Sequence, residues 1–126
     1  MNILIGNTFP FVLIRRKVSI QPVELDTLKE KLKSSAEIYS YWGHKNTLQS
    51  ASELLKFDIT PKSERPVLLL NKEFLPTLNG NVFSECWILS PDYTRVLRPS
   101  IGTEVTEEEI AGWNVLKISW EKENND

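Results

Sequence analysis

Apolar residues fall in short runs along this chain, and the spacing inside each run predicts an element. Ile3-Leu4-Ile5 is continuous and closes on Gly6-Asn7, the pattern of a buried strand (Asn2 to Ile5) followed by a turn. Phe9 to Ile14 reads as a loop holding one helical turn, with aromatics that pack under a sheet. Lys17 to Gln21 alternates apolar with polar, as a half-buried second strand does. Pro22 then opens a helical segment in which Leu25, Leu28 and Leu32 share a face and Asp26 is the expected N-cap for residues 27–33. Ile38 to Trp42 reads as a short strand or an extended entry into Gly43-His44.

A second helix is predicted from about Asn46 to Phe57, with Leu48, Ala51, Leu54 and Leu55 in one apolar stripe and Gln49, Ser50 and Glu53 outside it. After a loop over 60–66, Val67 to Leu70 reads as a buried strand. Pro76 and Asn79-Gly80-Asn81 mark a loop or hairpin. Val82 to Leu89 is a further strand, with Cys86 and Trp87 in the core, and Pro91-Asp92 is expected to turn the chain into a strand at Tyr93 to Leu97. Thr106 followed by Glu107, Glu108 and Glu109 is a helix start, with a capping hydroxyl and acids in the first turn. Gly112 is expected to end that helix, Val115 to Trp120 to form the last strand, and 124–126 to fray. The order predicts one α/β domain over 1–126: a mixed sheet of about five strands flanked by short helices.

Composition narrows the class. A chain of 126 residues, 40% apolar and 25% charged, is large enough for a core without disulfides or metals. Cys86 is the sole cysteine, which excludes an internal disulfide and suits a reducing interior. No run approaches the roughly 18 apolar residues of a membrane span, and the N-terminus lacks the pattern of a signal peptide. A cytoplasmic protein with no membrane partner is the expectation. The net charge of −2 argues against binding long nucleic acid, where basic domains gain from counterion release. Sign is unevenly spread, however. Residues 103–126 hold seven of the 17 acids and two of the 15 bases, which leaves ten against thirteen, or +3, for residues 1–102. That body suits a small polyanion; an acidic solvated terminus accounts for the same pattern.

Candidate chemistry concentrates at His44, the only histidine. Its type titrates near neutrality, at a pKa of ~6.5. Here it stands where a loop becomes a helix, beside the unpaired N–H groups and positive dipole end that favour phosphate. Gly43 before it allows close backbone approach. A lone histidine suits a surface or structural role as well. Arg95 and Arg98 have guanidinium groups fit for bidentate phosphate contacts, or for pairing with the acidic C-terminal helix. Asn7 and Thr8 follow the first strand, where ligands of open α/β sheets sit, although an asparagine there also simply forms turns. Tyr39, Tyr41 and Trp42 suit core packing or stacking on bases. The chain has no P-loop, no dinucleotide glycine motif, no zinc-ligand spacing and no Gly-x-Ser-x-Gly elbow.

Taken in order, these segments resemble the small viral ring nucleases, anti-CRISPR proteins that destroy cyclic tetra-adenylate. That family opens with an apolar strand running into Asn-Ala-Phe-Ser; here Ile3-Leu4-Ile5-Gly6-Asn7-Thr8-Phe9-Pro10 keeps the Asn and the Phe. Its central Ser-x-Ile-Gly-His-x-x-Thr signature, followed by Ser-x-Leu-Leu, is matched by Ser40 to Thr47 and then Ser52-Glu53-Leu54-Leu55. Its later Arg-Leu-x-Glu-Gly motif is echoed by Arg98-Pro99-Ser100-Ile101-Gly102, and Thr106, Glu108, Glu109 and Ile110 fall in register after it. The resemblance spans nearly the whole chain, with the Gly-His-x-x-Thr helix its specific part. Pro10 stands where the family has a serine that helps hold the ligand, Ile101 stands where it has an acid, and 71–92 is longer than its hairpin.

The resemblance implies a homodimer with a two-fold pocket for a cyclic oligoadenylate in a prokaryotic host cell. The ring's own 2′-hydroxyl attacks the adjacent phosphate, His44 protonates the departing 5′-oxygen, and Arg98 stabilises charge on the phosphate. Asn7, Thr8, Gly43, Thr47 and Arg95 bind the ligand. No metal or other cofactor is expected, and the products are linear di-adenylates ending in 2′,3′-cyclic phosphate. Two rivals remain: a protein of the same fold that sequesters the ring uncut, and a small nucleic-acid-binding viral regulator.

Overall fold

A computed structural model describes residues 2–43, 45–62, 66–92 and 112–121. Its main sheet has five strands: β1 (Asn2–Gly6), β2 (Val18–Val23), β3 (Glu37–Ser40), β7 (Glu85–Asp92) and β8 (Gly112–Trp120), in the order β2-β8-β7-β1-β3. β1 runs parallel to both of its neighbours, β3 and β7, whereas β8 runs antiparallel to β7 and to β2. A second, three-stranded antiparallel sheet comprises β4 (Leu69–Leu70), β5 (Pro76–Leu78) and β6 (Asn81–Val82). The described residues also form two helices, α1 (Leu25–Ser34) and α2 (Lys45–Leu55), and one 3-10 turn at Phe11–Leu13. This is the mixed α/β sheet with short helices that the pattern predicts.

Each face of the main sheet has its own cover. Ile3 and Ile5 of β1, Trp87 and Leu89 of β7 and Val115 of β8 pack against Leu28 and Leu32 of α1 and Ala51 and Leu55 of α2. The alternate residues Leu4, Cys86, Ile88, Ile118 and Trp120 face the other way, against Phe9, Leu78 and Phe83. β1 is therefore buried on both faces, which is why its apolar run is unbroken. Each such side chain contributes about 1.5–3 kcal/mol by leaving water. Among the described residues no helix is long and apolar enough to cross a membrane.

Both prolines expected to break strands lie inside them. Pro22 sits in β2 opposite Leu116. Among the described strands β2 is a sheet edge, where a residue without an N–H is tolerated. Pro91 and Asp92 extend β7 opposite Trp113 and Gly112 rather than turning the chain. The other neighbour, β1, makes its last pair at Gly6 with Ile88, so Pro91 has no ladder bond to lose on that side. Gly112 correspondingly begins a strand.

Several boundaries also move, α2 for one ending at Leu55 rather than Phe57. α1 starts at Leu25 with Glu24 as its N-cap, because the Glu24 carbonyl already accepts from the N–H groups of Thr27 and Leu28. Asp26 lies in the first turn, where its charge meets the positive end of the dipole. The strand expected over Val67 to Leu70 is only Leu69–Leu70, and the run is half-buried: Leu68 packs inward, while Val67 and Leu69 are 60% and 62% exposed. The hairpin expected near Asn79-Gly80 is present, with φ of 52° and 80°, the two positive values of a type I′ turn. Phe83 and Ser84 then separate it from β7, which begins at Glu85 rather than Val82. The expected strand at 93–97 and the helix starting at Thr106 lie outside the described residues.

Candidate functional site

The carboxyl ends of the parallel strands β3, β1 and β7 lie side by side, where ligands of open α/β sheets are held. Beyond β1 the first residue is Asn7. Its side-chain oxygen accepts the Gly43 N–H at 3.0 Å, and its backbone carbonyl accepts the Ser90 hydroxyl at 2.9 Å. Asn7 thus ties the end of β1 to β7 on one side and to the loop after β3 on the other. Residues 36 positions apart in sequence, Asn7 and Gly43, are in direct contact.

The loop from β3 to α2 is fastened at every residue from 41 to 43. Tyr41 donates its N–H to the Ile5 carbonyl at 3.1 Å, which extends the β1–β3 ladder one step past β3. Trp42 is buried in the helix-side core and donates its N–H to Ser40 Oγ at 3.3 Å. Its indole N–H reaches Thr47 Oγ1, at 3.2 Å, in the first turn of α2. Ser40 and Thr47 are buried polar residues, so these hydroxyls satisfy groups that would otherwise sit unpaired in the interior. Expected as core, Tyr39, Tyr41 and Trp42 all pack against it.

Beneath the loop, the Tyr41 hydroxyl meets the Cys86 sulfur at 3.0 Å. Burial pushes the Cys86 thiol up to about 12, against the opposing pull of its hydrogen bond to Tyr41. Burial chiefly, with Cys86 beside it, also raises the Tyr41 phenol well above its ordinary value. Both groups are neutral across the physiological range. Cys86 is an internal packing residue, as the pattern predicts.

Of the residues that the resemblance assigns to the site, Asn7 and Gly43 are brought together. Thr47 lies inside, within hydrogen-bond distance of Trp42, and Thr8 is exposed next to Asn7. His44, Arg95 and Arg98 lie outside the described residues; in the chain, His44 stands between Gly43 and the first residue of α2. Ser90 was not visible from sequence as a member, because nothing local links it to Asn7. A separate cavity of about 450 Å³ runs along α2 past Leu48, Ser52 and Lys56 to Asp58 and Thr60, and contains none of these residues.

No protein-family model matches this chain, and no curated protein matches it. Among solved structures it is similar to B116 of Sulfolobus turreted icosahedral virus, with a TM-score of 0.56 over 96% of this chain and 100% of that one. At 12% identity the likeness is one of fold. The chain thus has the fold of a small viral protein.

Proposed function

We propose that this protein is a metal-independent ring nuclease that binds a cyclic oligoadenylate, most simply cyclic tetra-adenylate, and cuts it to linear di-adenylates with 2′,3′-cyclic phosphate ends. In this reading it switches off type III CRISPR signalling. The contact between Asn7 and Gly43 carries the reading. The resemblance assigns both residues to one ligand pocket from two separate motifs, and they meet at 3.0 Å at the carboxyl end of the sheet. A fold shared with a viral protein is in keeping with it.

In the proposed reaction the ring's 2′-hydroxyl gives up its proton to solvent water and attacks the neighbouring phosphorus in line, and the bond to the 5′-oxygen breaks. His44, as the imidazolium, gives its proton to that oxygen, a role matched to its pKa range. Arg98 or Arg95 neutralises charge on the phosphate oxygens. Two copies of the chain would present two such sites to a ring with two-fold symmetry.

The test is incubation of the protein with labelled cyclic tetra-adenylate in EDTA. Cleavage that is lost in His44→Ala, with binding kept, supports the enzyme. No binding by the wild type sinks the reading. Pro10 favours a second reading, sequestration without cutting, because it is exposed and has no hydroxyl where the family has its ligand-holding serine. Tight binding with no turnover would favour that sponge. Light scattering of the free protein reads the dimer.

A further inference from the structure

Parallel strands exchange hydrogen bonds every second residue, and β1 and β3 keep that rhythm beyond the end of their backbone pairing. Ile5 pairs with Ser40, and the Ile5 carbonyl accepts from Tyr41. Two residues further on, the next rung would run from the Gly43 N–H to the backbone carbonyl of Asn7. That carbonyl is taken by the Ser90 hydroxyl. The rung is made nonetheless, by the Asn7 side chain in place of its backbone, at 3.0 Å.

We infer that Asn7 is a positioning residue: its side-chain carbonyl substitutes for a strand rung and fixes Gly43, the residue before His44. The inference rests on the nuclease reading above, in which His44 delivers the proton. A backbone N–H can only donate, so the amide orientation of Asn7 is set by chemistry, with Oδ1 toward Gly43. Its backbone is braced by Ser90 from β7, so the acceptor is held from two strands at once. Among the described residues, a Cβ on Gly43 would meet only Asn7 Oδ1, at 3.9 Å. The described contact that holds its backbone is the hydrogen bond to Asn7. A general acid displaced by about 1 Å loses up to a hundredfold in rate, so this one bond has leverage over the chemistry.

The experiment compares wild type, Asn7→Ala and Asn7→Asp by amide exchange and chemical shift at Gly43, and by binding and single-turnover cleavage of cyclic tetra-adenylate. Asn7→Ala is expected to expose the Gly43 amide and to slow saturated cleavage about tenfold or more, with the Kd changed less than about threefold. Asn7→Asp keeps the acceptor and is expected to restore protection of that amide. An unchanged Gly43 amide in Asn7→Ala overturns the inference. So does a variant that binds weakly but cuts at the wild-type rate when saturated, since Asn7 would then grip the ligand. A wild type that does not cleave overturns the reaction proposed above, and the amide readout still decides whether Asn7 holds Gly43.

Discussion

The ring of Tyr41 occupies the space that a side chain on Gly6 would need: a Cβ built on Gly6 would lie 2.3 Å from Tyr41 Cζ. The ring cannot easily retreat. Its backbone N–H is bonded to Ile5 and its hydroxyl meets Cys86. Gly6 is thus the glycine at the end of β1 that lets the Tyr41 ring lie directly against the strand.

Gly6→Ala should accordingly destabilise the fold by about 1–3 kcal/mol, the cost of overpacking a closed site. Urea denaturation followed by tryptophan fluorescence measures it. Adding Gly6→Ala to a Tyr41→Ala background should cost much less, because the clash is with that ring. Equal costs in both backgrounds would show that Tyr41 is not the obstacle.

Alkaline conditions should weaken the fold through the same cluster. The Cys86 thiol rises from 9.0 to about 12 on folding, chiefly because burial penalises the thiolate. A raised thiol pKa means that the folded state keeps its proton while the unfolded state loses it. The stabilising difference is therefore intact below pH 9 and falls as pH climbs toward 12, by about 1.4 kcal/mol per unit. Tyr41, raised in the same direction, adds to the loss above its ordinary 10.0. Stability curves of wild type and Cys86→Ser should converge as pH passes from 9 to 10. Parallel curves would mean that the thiol titrates alike in both states.

Thr47 tests the anchoring of α2. Its hydroxyl oxygen accepts from the buried Trp42 indole N–H at 3.2 Å. Thr47→Val keeps the shape but removes this acceptor, which should cost about 0.5–1.5 kcal/mol for the lost hydrogen bond. Thr47→Ser should recover most of it. Thermal unfolding of the three proteins separates the outcomes, and an unaffected Thr47→Val would show that Trp42 does not depend on this hydroxyl.

The buried strands were legible because their signal is local. Ile3-Leu4-Ile5 is apolar throughout since both faces of β1 are covered, and Asn79-Gly80 announces its own hairpin. The two prolines were not legible, because their effect depends on a partner elsewhere. Pro22 is tolerated since β2 has one neighbour among the described strands, and Pro91 since β1 has already ended. Val67 and Leu69 misled for the same kind of reason: an apolar run does not say whether anything covers its outer face. In the site, Asn7 and Gly43 could be paired from sequence only through a resemblance. Ser90, which supports Asn7 from β7, carries no local mark at all.

Gly43 separates what the chain needs from what the proposed ligand needs. Among the described residues, a Cβ on Gly43 would meet nothing closer than Asn7 Oδ1 at 3.9 Å, an ordinary contact, and the residue is exposed. Its N–H bond to Asn7 does not involve the side chain. Nothing among the described residues requires glycine here, and Gly43→Ala should leave stability within about 0.5 kcal/mol of wild type. A phosphate drawn up to the start of α2 has a different requirement, since an added methyl would stand where the anion approaches the backbone. Calorimetric titration with cyclic tetra-adenylate should show binding to Gly43→Ala weakened by about tenfold or more, roughly 1.4 kcal/mol. A variant that binds normally would place the ligand elsewhere, and one that unfolds would show that the glycine serves the loop itself.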